Sequence, residues 1–258
     1  MSESGSSRKG IYLLPNLLTT GSLFAGFYAI VSANLGRFEP AAIAIFVAMV
    51  LDGLDGRVAR MTNSASQFGE QYDSLADMVS FGLAPALIIF EWSLQHVSYV
   101  GWIWVKVGWL AAFFYTAAAA LRLARFNSRI ADQDKRYFQG LPSPAAAGVL
   151  LGLVWACHDL NYTGAEVWIV ALVITLITGG LMVSNFSYYS FKEFRLLNKV
   201  PFIAMLAVVG VFILASIDPP KLMFAVFFVF ALSGPITNLV RWQRKRTRGL
   251  KKVGKASE

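Results

Sequence analysis

The 258 residues are 56% hydrophobic and only 15% charged, with a mean hydropathy of +0.55, which excludes an ordinary soluble domain of this length. A single cysteine, Cys157, excludes a disulfide within the chain, and two histidines are too few for a Cys/His metal cluster. The net charge of +8 names no partner by itself, because in so apolar a chain the positions of Lys and Arg report topology first.

Polar residues Ser2 to Arg8 open the chain, and Lys9 precedes a short amphipathic lead-in, Ile11 to Leu14, that reads as an interfacial anchor over 1–14. The first apolar window runs from Pro15 to Ala33. Its positive front imitates a secretory signal peptide, but Asn16, Thr19 and Thr20 inside it and the many spans that follow argue for a retained helix. Further windows follow at Pro40–Arg60, Ser74–Ser93, Val100–Leu123, Pro144–Cys157, Val167–Val183, Pro201–Ile217 and Leu222–Arg241. Backbone groups left unpaired in hydrocarbon are too costly for anything but helices or a closed barrel, and no alternating barrel pattern occurs. The chain therefore reads as an all-α integral membrane protein, one domain built as a bundle of about eight transmembrane helices.

With a cytoplasmic N-terminus, 20 of the 23 Lys and Arg fall on the inner side, leaving Arg37, Lys106 and Lys221 outside. That bias predicts that both termini are cytoplasmic and that the spans are even in number. Glu39, Asp159, Glu166, Asp218, His96 and His158 then fall at outer loops or ends. The tail over 242–258, with seven of the eight cations between Arg241 and Lys255, lacks the base-reading residues of a nucleic-acid site. It reads as a topology signal that rests on anionic headgroups of the bilayer.

Against this background the stretch Leu51 to Phe81 is anomalous. It sets Asp52, Asp55, Asp73 and Asp77 in or beside apolar segments, where a single charge at mid-membrane costs about 2.5–3.5 kcal/mol and four unpaired ones on the order of 10 kcal/mol. Asp52 and Asp55 are three apart near the end of the second helix, and Asp73 and Asp77 four apart near the start of the third, so each pair shares a helix face. Antiparallel packing of the two helices opposes the faces. Divalent cations relieve the repulsion while leaving the carboxylates ionised, and oxygen-only ligands favour two Mg²⁺ or Mn²⁺ ions, with Ca²⁺ also compatible. Such a pair acts on phosphate or diphosphate; small Gly56, Ala59 and Gly69 admit a ligand to the backbone, and Arg57 and Arg60 offer forks to phosphate. The plainer alternative is a set of interfacial aspartates facing water.

The pattern Asp52-x-x-Asp55-Gly56-x-x-Ala59-Arg60, eight residues, then Gly69-x-x-x-Asp73-x-x-x-Asp77, resembles the complete signature of the CDP-alcohol phosphatidyltransferase family. The stretch Phe68 to Ala86, the run Ala120 to Asn127 and Phe138 to Pro144 are most similar to the phosphatidylserine synthases of that family. The resemblance implies a six-helix catalytic core, here 15–183, leaving the two helices over 201–241 as an addition. It also implies a homodimer in the cell membrane with its active site at the cytoplasmic face. CDP-diacylglycerol and L-serine would then give phosphatidylserine and CMP. Asp52, Asp55, Asp73 and Asp77 would bind two metal ions, Asp77 would also act as base, and Gly56, Ala59, Arg60 and Gly69 would hold the CDP portion.

Chemistry points to a carboxylate base independently, since the serine hydroxyl needs a proton acceptor within about 2.6–3.2 Å and both histidines are expected on the far side. No His-x-Lys motif occurs, so direct in-line attack is expected rather than a phosphatidyl-histidine intermediate. Arg122 and Arg125, with Asn127, are candidates for the lipid phosphate or serine carboxylate. Asn16 and Thr19 are candidates for a supporting role at the phosphates, and Ser143 is a substrate candidate or simply the cap of its helix. Two other readings stand: the same family with glycerol 3-phosphate or inositol phosphate as acceptor, the extra cations being Arg125 and Arg129, or a divalent cation transporter, for which the outer halves of the helices lack matching polar residues.

Overall fold

The structure is a computed structural model that describes residues 6–97, 101–128, 137–189 and 217–254. Helices α1 (Ser6–Asn34) and α2 (Phe38–Met61) form a hairpin. Helix α3 (Gln67–Asp77) runs through a π-helical turn (Met78–Leu83) into α4 (Ala84–Trp92), so three pieces make one rod, Gln67–Trp92. A 3₁₀ turn (Leu94–Val97) leads towards α5 (Trp102–Ser128), followed by β1 (Tyr137–Gln139), α6 (Ser143–Asp159), α7 (Trp168–Val183), β2 (Ser187–Tyr189) and α8 (Pro219–Gly254).

Among the described residues, four helical stretches are long and apolar enough to cross a membrane: Leu13–Asn34, Gln67–Trp92, Trp102–Ser128 and Pro219–Leu239. The protein is an all-α membrane protein at this level. Helix α2 carries Asp52, Asp55, Arg57 and Arg60 in its last turns, and α6 and α7 are shorter, at 17 and 16 residues. The window expected at 201–217 lies outside the described residues except for Ile217.

Small residues let the first two helices approach closely. Ala25, Ala29 and Ala33 recur every four residues on α1, Ala41, Ala44 and Ala48 recur on α2, both rows are buried, and the two helices pack along their length. Helix α6 is the axis of the bundle: every residue from Ala145 to Val154 is buried, with α2, α4, α7 and α8 around it. Helix α8 approaches it through two glycines. A Cβ at Gly148 would lie 2.5 Å from the ring of Phe227, and one at Gly152 would lie 2.8 Å from the backbone of Phe224. The last helix thus packs closely along α6.

Three expectations change. The third helix starts at Gln67 instead of Ser74, because Ser66 caps it by accepting the Gly69 N–H at 3.0 Å, and Asp73 and Asp77 lie well inside it. Pro15 does not open the first helix but sits within it, which its fixed φ allows at the loss of one backbone hydrogen bond. The third change is a small antiparallel sheet, pairing Tyr137 with Tyr189 and Gln139 with Ser187, which ties the segment after α5 to the one after α7. Three-residue strands lack the length for a readable alternation.

Candidate active site

Helix α1, the last turns of α2 and the first turns of α3 enclose an open cleft of about 330 Å³. Pro15, Asn16 and Thr19 line it from α1; Asp55, Gly56, Ala59 and Arg60 from α2; Gly69, Glu70 and Asp73 from α3. Eight of the expected site residues therefore share one wall-to-wall space: Asn16, Thr19, Asp55, Gly56, Ala59, Arg60, Gly69 and Asp73.

Spacing along each helix explains the carboxylates. The three-residue step from Asp52 to Asp55 and the four-residue step from Asp73 to Asp77 each keep two side chains on one face, and the five-residue break between α2 and α3 turns the faces together. One oxygen each from Asp52, Asp55 and Asp73 lies within 4.8 Å of the others. Asp77 stands outside that trio but is in contact with Asp52, which also contacts Asp73. Asp55 is buried and its Oδ2 accepts a hydrogen bond from the Thr19 hydroxyl at 2.6 Å, with the Pro15 carbonyl 3.1 Å from the same hydroxyl. Thr19 thus orients one carboxylate from a neighbouring helix.

Not every oxygen is so served. Asp73 Oδ1 and Asp77 Oδ1 are buried with no hydrogen-bond partner. Buried acceptors are ordinarily paired, and an ionised one left alone in an apolar surround is strongly unfavourable. Four carboxylates gathered with two orphaned oxygens, without an imidazole or thiolate, match the hard-ligand set of Mg²⁺ or Mn²⁺. The residues present fit a divalent cation.

Behind Asp77, Arg122 of α5 is close enough to attract it electrostatically. Arg122 Nη1 donates to Ser143 Oγ at 2.8 Å, and its Nε is buried without a partner. Ser143 is the first residue of α6, and the capping position falls instead on Pro142, which supplies no side-chain bond. Asn127 Nδ2 donates to Ser74 Oγ at 3.1 Å, tying the end of α5 to the residue after Asp73. Arg125 points elsewhere. Its guanidinium reaches the carbonyls of Gln139, Met182, Val183 and Ser184 and the Asn185 side chain, at 3.1–3.3 Å, so it clasps the end of α7 and β1. Gly140, at φ +79°, leaves room for this clasp, since a Cβ there would lie 2.7 Å from Arg125 Nη2 and 2.2 Å from the Met182 carbonyl oxygen.

Sequence reasoning passed over several lining or supporting residues. Ser64 and Ser66 border the cleft, and Ser66, directly before the polar start of α3, carries a readable N-cap signal. Tyr72 and Thr20 hydroxyls lie 2.9 Å apart across α3 and α1, a pairing with no local sequence signal. Gly148-Val-Leu-Leu-Gly152 is a small-x-x-x-small motif that foretells the α8 contact.

The fold and the cleft together define a polytopic helical membrane protein with a carboxylate-rich site at one end of its bundle. The model of the CDP-alcohol phosphatidyltransferase family matches residues 12–181, and the chain belongs to this family of transferases. A protein of Helicobacter pylori (strain ATCC 700392 / 26695) named CDP-diacylglycerol--serine O-phosphatidyltransferase is 32% identical over 232 residues, covering 90% of this chain and 92% of its own. Proteins of the same name from Mycobacterium leprae and Bacillus subtilis are 34% and 31% identical, over 81% and 70% of this chain and 70% and 92% of theirs.

Proposed function

We propose that this chain transfers the phosphatidyl group of CDP-diacylglycerol to the hydroxyl of L-serine, giving phosphatidylserine and CMP. The observation that carries serine as acceptor is the similarity across nine-tenths of the chain to relatives that bear that name. In this reading Asp52, Asp55, Asp73 and Asp77 hold two divalent cations, Mg²⁺ or Mn²⁺. When bound, such ions neutralise phosphate oxygens and stabilise the departing nucleotide oxygen.

The chain's own side chains do the rest. Gly56, Ala59, Arg60 and Gly69 hold the CDP portion in the cleft, with Asn16 at its rim. Thr19 keeps Asp55 in one orientation by its 2.6 Å hydrogen bond. Asp77 accepts the proton of the serine hydroxyl as the oxygen attacks the β-phosphorus in line. Arg122, braced by Ser143, presents its unpartnered Nε to the serine carboxylate, a planar anion that a guanidinium fork recognises. Arg125 serves the architecture rather than the substrate. The Lys and Arg bias supports a cleft that opens on the cytoplasmic face of the cell membrane, where a water-soluble amino acid reaches it.

The test is a panel of acceptors. Membranes containing the protein are incubated with CDP-diacylglycerol and, separately, serine, glycerol 3-phosphate or inositol phosphate, and CMP release is followed. Release with serine alone is expected, and release with glycerol 3-phosphate but not serine would reverse the assignment. Labelled donor without serine should leave no covalent phosphatidyl-protein.

A further inference from the structure

The rod that carries Asp73 and Asp77 is not regular. Immediately after Asp77 the helix widens into its π turn, in which the Ala84 N–H reaches back to the Val79 carbonyl, five residues away. Phe81 has a particular difficulty there. Its α-helical hydrogen bond would come from residue 85, and residue 85 is proline, which has no N–H. A carbonyl left open in a membrane-spanning helix is unfavourable unless a neighbour supplies a donor. Tyr115 of α5, fully buried, does so: its hydroxyl donates to the Phe81 carbonyl at 3.1 Å.

The turn is gripped on its other side as well. Ser80 Oγ donates to the Ser22 carbonyl of α1 at 3.1 Å, and Gly26 makes this approach possible, since a Cβ there would lie 2.8 Å from Ser80 Cα. Each residue of a regular helix turns about 100°, so the extra residue in the turn resets the face of everything beyond it. Before the turn, α3 directs Asp73 and Asp77 to Asp52; beyond it, α4 directs Ala84, Ile88 and Ile89 into the core. Arg122 stands two turns beyond Tyr115 on α5 and faces Asp77, so one helix face holds both the turn and the carboxylate.

We propose that Tyr115 is a positioning residue for the cation-holding carboxylates: by donating to the Phe81 carbonyl it fixes the π turn, and the turn fixes where Asp77 meets Asp52. This rests on the reading of the aspartates as a cation site. Tyr115 touches neither cation nor substrate.

The experiment is Mn²⁺ binding to the purified full-length protein in lipid nanodiscs, read by electron paramagnetic resonance of free Mn²⁺, without substrate. Tyr115→Phe removes one hydroxyl and keeps the ring, and it should weaken Mn²⁺ binding about tenfold, the scale of one lost buried hydrogen bond. Pro85→Ala restores an N–H at residue 85, which gives the Phe81 carbonyl an ordinary helical donor. In a Pro85→Ala background, Tyr115→Phe should therefore change Mn²⁺ affinity less than twofold. Wild-type affinity in Tyr115→Phe, even with a lowered melting temperature, would overturn the proposal. So would an undiminished tenfold effect in the Pro85→Ala background, which also decides the matter if Tyr115→Phe alone folds poorly. Failure of wild-type protein to bind Mn²⁺ more tightly than Asp52→Asn would instead overturn the cation site itself.

Discussion

The two ends of the helix bundle treat polar groups in opposite ways. At the end away from the cleft, charge is matched: Lys221 of α8 bridges Asp159 at the end of α6 and Asp218 just before α8, and the buried Ser93 hydroxyl donates to the Gly164 carbonyl at 2.6 Å. The Lys221 contact holds the Asp218 carboxyl below its usual range, and the Thr163 N–H does the same for Glu166. At the cleft end, four carboxylates crowd together, two of their oxygens have no partner, and the nearby Arg122 keeps an unpaired nitrogen. One end is finished by the protein alone. The other has the valences of a site completed by ligands, and membrane proteins retain such expensive groups for function.

The sharpest way to break this contrast is to remove a carboxylate. Asp55→Asn keeps the shape and the Thr19 contact but removes a charge from the trio, and kcat/KM should fall about 10³-fold or more, the loss of several kcal/mol of transition-state stabilisation. Asp77→Asn removes the proposed base and should lower kcat by about 10²–10⁴-fold in CMP-release assays. A smaller effect is expected from Thr19→Val, which frees Asp55 from its orienting hydroxyl: about 10–100-fold weaker activation by Mn²⁺ in a titration at saturating substrates. Arg122→Lys retains the charge and loses the fork, so KM for serine should rise roughly tenfold while KM for CDP-diacylglycerol stays constant. At the finished end, Lys221→Met should leave serine-dependent CMP release unchanged. A large loss of activity there would erase the distinction between the ends.

The cleft was legible to very different degrees. The aspartates could be read because their three- and four-residue spacing is the helical period itself and their charge conflicts with the surrounding hydrophobicity. Thr19 and Asn16 were visible as polar residues at the right depth on α1. The roles of Arg122 and Arg125 could not be separated by spacing, because both end the same helix; only the fold sends Arg125 to the α7 carbonyls and Arg122 to Ser143 and Asp77. The π turn was beyond a reading based on one period per helix, although Pro85, four residues after Phe81, carries its physical cause. Boundaries shifted where capping decided them, as at Ser66, since a cap depends on one side-chain conformation rather than on composition.

The family model ends at residue 181, yet the fold continues to matter beyond it. Tyr188 of β2 is buried and donates from its hydroxyl to the Ala231 carbonyl of α8 at 3.0 Å, close beside Gly234. Helix α8 in turn covers α6, whose first residue braces Arg122. The segment outside the matched region is thus packed against the helix that begins at Ser143.

The most direct measurement of the central claim is CMP release from CDP-diacylglycerol by the purified protein in nanodiscs, with and without serine, before and after chelation. Release that requires serine, stops with EDTA and returns when excess Mn²⁺ or Mg²⁺ is added is the predicted result. Serine-driven release that persists at full rate after chelation would contradict the assignment of the four aspartates to divalent cations.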